Sequence, residues 1–448
     1  MKPEQAAATF QREPLLPRIF AGLFGSFLGL SLLKFGNPPI MEKWVTPPGG
    51  FYEFLFGYPW PMTWAYWLLG FIALVGLFVA RWRLNAPKWL VLMPLAWLVW
   101  QLLATVQSVG PQLSQTVLRH FVASMVCFYL GLFALGRGKC LWPFWISLLA
   151  GFLLVLASGW QQHFGGLEET RRYFFLYLYP QVKELPPEYL KRMSSNRIFA
   201  TLFYPNALAG ALVLLLPAML ATVWRMRRRL TTSARRFLFA ALATAGLASL
   251  YWSGSKGGWL VMLLLGLIAL LGSSFSKQLK ITLVAVILIF GLAVFFWKHH
   301  GFFEKGATSV VARFDYWRAA VQTATARPFF GTGPGTFSIA YQKFKRPESE
   351  PTRLVHNDYL EQASDSGVPG FMLYVIFISG TLFYGHARLR QSGCDGELQL
   401  FPVWLGVFGW SLQSLFEFGL YVPALAWPAF ALMGWLLAQS RYRPEDSL

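Results

Sequence analysis

The chain has 448 residues, of which 55% are hydrophobic and only 13% are charged, and its formal net charge is +19. Soluble globular proteins usually carry about 25% charged residues, so this composition excludes an ordinary soluble domain. The apolar residues form continuous runs of roughly the 20 residues that cross a bilayer as a helix, without the alternation of a membrane β-barrel. The sequence therefore predicts an all-α polytopic membrane protein, and nothing in it predicts binding to nucleic acid.

The apolar runs predict about twelve transmembrane helices in a single membrane domain that covers residues 1–448. No small-x-small cleavage motif follows the first run, so we expect it to be a retained span and not a removed signal peptide. The predicted spans are residues 15–36, 62–80, 89–107, 117–136, 141–159, 205–224, 237–252, 257–272, 281–297, 367–387, 401–419 and 422–440.

Basic residues are concentrated in every second connection between these spans, as in residues 225–236. The positive-inside rule assigns such connections, and with them both termini, to the cytoplasm. Two long loops, residues 160–204 and 298–366, then lie on the outer side, the larger between the ninth and tenth spans. Loops of that length are usually functional, so we expect the functional residues on the outer side.

The larger loop contains a predicted helix. Its apolar residues recur at helical spacing, and Pro328 ends the pattern just before a glycine-rich turn at residues 331–335. Such a helix could lie on the membrane surface or cap a cavity, or it could simply pack on its neighbours. The apolar positions are Val310, Val311, Phe314, Trp317, Ala320, Val321 and Ala324.

Three basic residues on the predicted outer side adjoin the ends of spans, namely Arg197, Lys256 and either Arg313 or Arg318. A basic side chain at the mouth of a membrane cavity is costly, so such residues are functional candidates. Asn206 follows Arg197 at the start of the sixth span and is a candidate for the same site. A snorkelling arginine with a helix-capping asparagine is the purely structural alternative.

Lys256 lies in a tight connection rich in serine and glycine, Ser253–Gly258, between the seventh and eighth spans. Small residues let a ligand approach the backbone, and the free N–H groups at a helix start favour an anion. Ser255 and Lys256 are therefore candidates for binding an anionic substrate. A simple hairpin turn with a snorkelling lysine would have the same sequence.

His356 closes the larger loop, beside Asn357 and Asp358. An imidazole with a pKa of about 6.5 can accept a proton near neutral pH, which makes His356 the candidate general base. Asp358 or Glu361 could orient the ring or raise its basicity. A metal site of His356, Asp358 and Glu361 is the alternative, but the spacing fits no standard zinc motif and we expect no metal.

Four segments, in this order, resemble the bacterial O-antigen ligase/polymerase superfamily. They are residues 197–209, 253–257, 328–337 and 356–370, and the resemblance covers roughly residues 195–440. The position of the large loop agrees as well. One residue departs from the pattern, because the family commonly has arginine where Lys256 stands; lysine keeps the charge but loses the two-pronged guanidinium.

The resemblance implies a GT-C-type membrane glycosyltransferase fold and an activity closest to that of O-antigen ligase. Such an enzyme moves a glycan from undecaprenyl diphosphate to a sugar hydroxyl of lipid A–core, on the periplasmic side of the bacterial inner membrane. We expect inversion at the sugar without metal or other cofactor, with His356 as the general base and Arg197 and Lys256 holding the diphosphate. The expected substrate-binding residues are Arg318, Asn206, Asn357, Asp358 and Ser255.

Other functions share these features. An O-antigen polymerase or a protein O-oligosaccharyltransferase would have the same donor site and differ only in the acceptor. A lipid-linked sugar flippase or transporter would also combine many spans with basic residues, but such proteins often have repeated halves, which this sequence lacks. A structural or signalling membrane protein is a further alternative. The expected partners are the lipid-linked donor, the acceptor and membrane lipids.

Overall fold

The computed structural model of the chain is built from helices. It describes residues 15–56, 59–82, 86–137, 141–181, 190, 194–202, 204–304, 308–347, 349–389 and 397–439. The predicted cytoplasmic termini, residues 1–14 and 440–448, lie outside the described residues. The α-helices are α1 (Leu15–Lys34), α2 (Phe51–Phe56), α3 (Met62–Val79), α4 (Lys88–Val106), α5 (Pro111–Tyr129), α6 (Trp142–Gln161), α7 (Leu167–Tyr173), α8 (Pro205–Trp224), α9 (Thr232–Ser253), α10 (Lys256–Leu271), α11 (Lys277–Glu304), α12 (Thr308–Ala326), α13 (Phe337–Phe344), α14 (Asp358–Leu389), α15 (Glu397–Gln413) and α16 (Pro423–Ala438).

Eight of the described helices are long and apolar enough to cross a bilayer. They are α1, α3, α4, α5 with its extension to Ala134, α6 with its extension to Tyr177, α8, α11 and α14. The helices α10, α15 and α16 are apolar but shorter. Each of the twelve predicted spans overlaps a described helix. Eleven of them overlap the helices just named, and the span 237–252 overlaps α9. The prediction of an all-helical multi-pass membrane protein is confirmed, whereas the count of twelve crossings stays a prediction.

The helix α16 lies at the centre of the fold. All of its residues are buried. Gly434 brings α16 so close to α5 that a side chain there would collide with the backbone oxygen of Phe128. Small residues allow such close approach between helices in a membrane, where burial of apolar surface gives little driving force. The centre of the molecule is therefore a rigid support for the polar ends of the helices around it.

The helix α14 begins nine residues before the predicted tenth span, at Asp358 and not at residue 367. Its first part is polar and buried by neighbouring protein, so a search for apolar runs cannot find it. The helix is interrupted at Gly367, whose φ is 70°, and the Val368 N–H donates to the carbonyl oxygen of Pro328. The predicted glycine-rich turn at residues 331–335 lies against this first part, with the Gly333 N–H donating to the oxygen of Asp365.

The predicted helix of the larger loop is confirmed as α12, Thr308–Ala326, and its buried face includes only some of the predicted apolar positions. Tyr316, Ala319 and Ala320 are buried, whereas Val311 and Phe314 are 56% and 60% exposed. The spacing of apolar residues identified the helix correctly. It identified the buried face only in part, because several of those apolar residues point away from the protein while Ala320 and Ala324 are buried.

Several helix ends meet on one side of the fold. Arg197 contacts the end of α9 and the start of α8, and Asp358 at the start of α14 donates its N–H to Ser414, just after α15. The basic connection 225–236 lies at the other end of α9, which spans roughly 33 Å at 1.5 Å per residue. The candidate residues thus gather at the end opposite a basic connection, where the predicted orientation has the outer face.

Candidate functional site

The segment that carries Arg197 is held by one buried glutamine. The side-chain oxygen of Gln162 accepts hydrogen bonds from the N–H groups of Phe199 and Ala200, at 3.0 and 2.8 Å. Its amide nitrogen donates to the oxygen of Ala200 at 2.9 Å. Ala200 has a φ of 51°, a left-handed conformation that a non-glycine residue keeps only when its surroundings impose it. Gln162 therefore fixes the direction in which the chain leaves Arg197.

Arg197 is bound by neutral partners. Its Nε donates to the oxygen of Ser253 at 2.6 Å, and its Nη2 donates to Oδ1 of Asn206 at 2.7 Å. The guanidinium lies over Gly254, where an added Cβ would come within 3.2 Å of Nε. Both hydrogen-bond partners are neutral, and the charge that interacts favourably with Arg197 is the carboxylate of Glu417.

Lys256 lies on the other side of the same turn. Ser255 caps α10 by accepting a hydrogen bond from the Gly258 N–H at 3.3 Å, and Lys256 is the first residue of that helix. Its charge interacts with those of Arg197 and Arg313. The structure thus brings together the two cations that the sequence places 59 positions apart.

The centre of the site is Glu417, a residue that the sequence analysis did not select. It follows α15, and only 6% of its side chain is exposed. Its Oε1 accepts hydrogen bonds from Asn206 at 2.6 Å and from Arg313 at 2.5 Å, and its Oε2 accepts one from Tyr204 at 2.9 Å. A sequence signal existed, because Glu417 falls within the predicted span 401–419 and an ionisable residue in a span is a functional candidate.

The surroundings of Glu417 keep it ionised. Burial alone would raise the pKa of this carboxyl, but the Arg313 guanidinium, His356 and the hydroxyl of Tyr204 together hold the pKa below its ordinary value. A buried carboxylate bound by several donors is a fixed negative charge. Glu417 can therefore orient and charge-stabilise a neighbouring imidazole.

His356 lies beside this carboxylate. Its Nδ1 is 3.5 Å from Oε2 of Glu417, a separation suited to an ion pair but too long for a strong hydrogen bond. The ring is stacked on Tyr316, with centroids 5.9 Å apart, and meets the edge of Phe418 at 4.8 Å. Because Nδ1 is buried while 25% of the side chain is exposed, the exposed part lies elsewhere on the residue. Its φ of 55° is a second strained conformation in the site.

The residues around His356 form its support. Asn357 caps α14, its Oδ1 accepting hydrogen bonds from the N–H groups of Tyr359 and Leu360 at 3.0 and 3.1 Å. Asp358 is fully buried, and its Oδ2 accepts from the Leu420 N–H at 2.8 Å. The carboxylate beside the ring is Glu417, and not Asp358 or Glu361 as expected from sequence.

The carboxyl of Glu361 is also hydrogen-bonded to the backbone, since its Oε2 accepts from the Val355 N–H at 3.1 Å. His356, Asp358 and Glu361 therefore do not converge on one point. Among the residues that the structure describes, no three His, Cys, Asp or Glu side chains are grouped so as to hold a metal ion.

Of the two arginines considered on α12, the structure brings Arg313 to the site. Its Nη2 reaches Glu417, whereas Arg318 is exposed on another side of the helix. Five residues along a helix correspond to about 500° of rotation, so the two side chains point in different directions. A role for Arg318 in substrate binding stays a prediction, and the structure shows no contact between Arg318 and Glu417.

A comparison with known protein families matches a part of the chain that contains several residues of the site. Residues 241–375 match the O-antigen ligase family model. The match covers Lys256, Arg313 and His356, so the family recognised from the four sequence segments is confirmed for this part of the chain. Arg197 and Glu417 lie outside the matched residues, and their place in the site comes from the structure.

One relative extends the comparison. An uncharacterized protein of Haemophilus influenzae (strain ATCC 51907 / DSM 11121 / KW20 / Rd) is 31% identical over 205 residues, which is 40% of this chain and 51% of that protein. The matched part of the chain thus spans about half the length of this relative. The name of that protein assigns it no activity.

The role of Glu417 in the site can be tested through stability. Glu417→Gln should destabilise the protein by about 3–5 kcal/mol at pH 7, because it leaves the partly buried Arg313 without its counter-ion. Thermal unfolding in nanodiscs measures the change. The double variant Glu417→Gln/Arg313→Gln should lose less than the sum of the two single changes, because the residues are in contact.

The pH dependence of that difference has a definite sign. The pKa of Glu417 is lowered in the folded protein, so its stabilisation is complete above the ordinary glutamate pKa of about 4.3. It is lost only as the pH falls through the lower folded value. Wild type and Glu417→Gln should therefore differ at pH 7 and approach each other in strong acid. Equal stability at pH 7 would contradict the ion pair.

Proposed function

We propose that this protein is a GT-C-type glycosyltransferase of the O-antigen ligase type. It transfers a glycan from undecaprenyl diphosphate to a sugar hydroxyl of lipid A–core, on the periplasmic side of the bacterial inner membrane. The observation that carries the proposal is a continuous set of contacts from Arg197 through Asn206 and Glu417 to His356. It joins a cation suited to a phosphate leaving group with an imidazole suited to accept a proton.

His356 acts as the general base. Glu417 faces Nδ1, so Nε2 is the nitrogen that accepts the proton of the acceptor hydroxyl. The carboxylate stabilises the imidazolium that forms, as the acid of a catalytic triad does. In the absence of substrate such contacts are often longer than in the reacting complex, so the 3.5 Å separation is compatible with this role.

Arg197 and Lys256 act on the leaving group. The acceptor oxygen forms a bond to the anomeric carbon while the bond from that carbon to the diphosphate oxygen breaks, and both electrons of this bond remain on the diphosphate. Fixed cations stabilise such developing charge better than water, because they need no reorganisation. A single displacement of this kind inverts the anomeric carbon.

The proposal is tested with purified protein in nanodiscs. We expect an undecaprenyl-diphosphate-linked glycan and lipid A–core to give a covalent product by mass spectrometry, with inverted stereochemistry by NMR and undiminished yield in EDTA. Longer lipid-linked glycans formed without lipid A–core would indicate a polymerase, and glycosylation of a serine-containing peptide would indicate a protein transferase. Transport of the donor across proteoliposomes with no covalent product would reject the proposal.

Lys256 provides a test of what the second cation supplies. Lys256→Arg should keep at least about half of the activity, because the site needs a positive charge and arginine also carries one. Lys256→Gln should lower the rate by about 10²-fold, the typical cost of removing one electrostatic donor. Initial rates at saturating donor measure both. An inactive Lys256→Arg would mean that the lysine does more than hold charge.

A further inference from the structure

A third cation, Lys298, reaches the same end of the fold from α11. Its Nζ donates a hydrogen bond to the carbonyl oxygen of Tyr251 and lies 3.1 Å from the centroid of the Tyr251 ring. Tyr251 belongs to the last turn of α9, the turn that also provides Ser253 to Arg197. Two cations from distant parts of the chain therefore bind carbonyl groups of one helical turn.

The packing of α10 against α11 fixes where Lys298 points. Trp259 donates from Nε1 to the oxygen of Gly291 at 3.3 Å, and Gly291 lies against Leu263. Lys298 follows Gly291 by seven residues, which is two turns, or about 10 Å, further along the same face. Lys256 precedes Trp259 by one turn on the antiparallel helix. Both lysines thus lie beyond this contact, on the same side of the helix pair.

Lys298 is a second donor to the end of α9. The oxygen of Tyr251 also accepts a hydrogen bond from the Gly254 N–H at 3.1 Å, so this oxygen has a partner without the lysine. The charge of Lys298 also interacts unfavourably with that of Arg197. Gathering like charges away from bulk water costs free energy unless an opposite charge binds among them.

Glu417 provides only part of that opposite charge, because one carboxylate serves both Arg313, at 2.5 Å, and Arg197. His299, next to Lys298, interacts with the charges of Lys256, Lys298 and Arg197 together. Lys298, Arg197 and Lys256 all lie around the short segment 251–256, the first two through the carbonyl groups of Tyr251 and Ser253. A ligand with more than one negative charge fits such a group of cations.

We propose that Lys298 is a binding residue for the donor's diphosphate, which it holds together with Lys256 and Arg197. This inference rests on the proposed function and adds a residue that neither the sequence motifs nor the family resemblance selected. A diphosphate presents two charged groups, and three cations on three structural elements can contact both groups at once. Lys298 thereby favours a lipid diphosphate over a lipid monophosphate.

The experiment measures binding, separately from glycan transfer. Undecaprenyl diphosphate and undecaprenyl monophosphate are titrated into the full chain in neutral phosphatidylcholine nanodiscs. Lys298→Gln should weaken binding of the diphosphate by about tenfold or more, the loss expected for one charge-assisted hydrogen bond. Binding of the monophosphate should change less, and Lys298→Arg should restore most of the diphosphate affinity.

The same helix provides a matched control. Lys280, at the opposite end of α11, donates from Nζ to the oxygen of Leu271 at 2.8 Å. Lys280→Gln removes the same kind of lysine-to-carbonyl bond far from the site. It should leave the affinity for the diphosphate unchanged.

A second measurement uses the unmodified protein, in case Lys298→Gln does not fold. Undecaprenyl diphosphate should protect Lys298 from acetylation by acetic anhydride, whereas undecaprenol should not, and Lys280 should be modified equally in both samples. Absence of protection, or unchanged diphosphate affinity in Lys298→Gln, would overturn the inference. Weakened diphosphate binding in Lys298→Gln of a protein that forms no glycosylated product would leave this inference standing and reject glycan transfer.

Discussion

Replacing His356 by alanine should lower the rate of glycan transfer by about 10²–10⁴-fold, the usual contribution of a positioned general base. The ring has one nitrogen facing Glu417, and the alanine variant has no group to take the proton of the acceptor hydroxyl. Single-turnover rates with preloaded donor give the effect on the chemical step. Affinity for the donor should stay close to that of wild type, because the base contacts the acceptor.

His386→Ala is the matched control for this variant. His386 lies in the last turn of α14, whereas His356 lies just before its first turn. The ring of His386 is 5.3 Å from that of Trp404, away from the site. Its replacement should leave transfer unchanged. Full activity of His356→Ala, with folding equal to that of the control, would remove the imidazole from the mechanism.

The sequence predicted the membrane-spanning architecture well for a physical reason. A long run of apolar residues indicates that the segment is surrounded by lipid. In lipid the backbone polar groups must be hydrogen-bonded within the protein, so such a segment forms a helix. The same reasoning does not detect the first part of α14, because residues 358–366 are mostly polar and are surrounded by protein. It located only part of the packed face of α12, since an apolar residue does not reveal whether it faces lipid or protein.

The candidate site could be predicted only in part. His356, Arg197 and Lys256 could be selected one at a time, because each is an ionisable residue beside a predicted span. Glu417 was missed because its importance comes from contacts with Asn206 and Arg313, which are 211 and 104 positions away. Asn357 and Asp358 were selected for their position beside His356, yet their side chains bind the backbone. Proximity in sequence showed which residues share a segment, not which side chains share a pocket.

Arg197→Ala should lower the rate of transfer by about 10²–10³-fold, the cost typical of losing one preorganised electrostatic donor. The charge on the diphosphate is larger in the transition state than in the bound donor. A cation placed to meet that increase therefore affects kcat more than it affects the KM for the donor. Initial rates over a range of donor concentrations separate the two. Arg172→Ala, which removes an exposed arginine of α7, should change neither quantity.

Arg197→Lys distinguishes charge from geometry. The guanidinium reaches Ser253 through Nε and Asn206 through Nη2, and a single ammonium group cannot keep both directions at once. We therefore expect an activity between those of wild type and Arg197→Ala, in contrast to the tolerated Lys256→Arg, because Arg197 also orients Asn206 and through it Glu417. If Arg197→Ala raised only the KM for the donor and left kcat intact, the arginine would bind the diphosphate without stabilising its departure, and the charge of the leaving group would have to be met by the lysines alone.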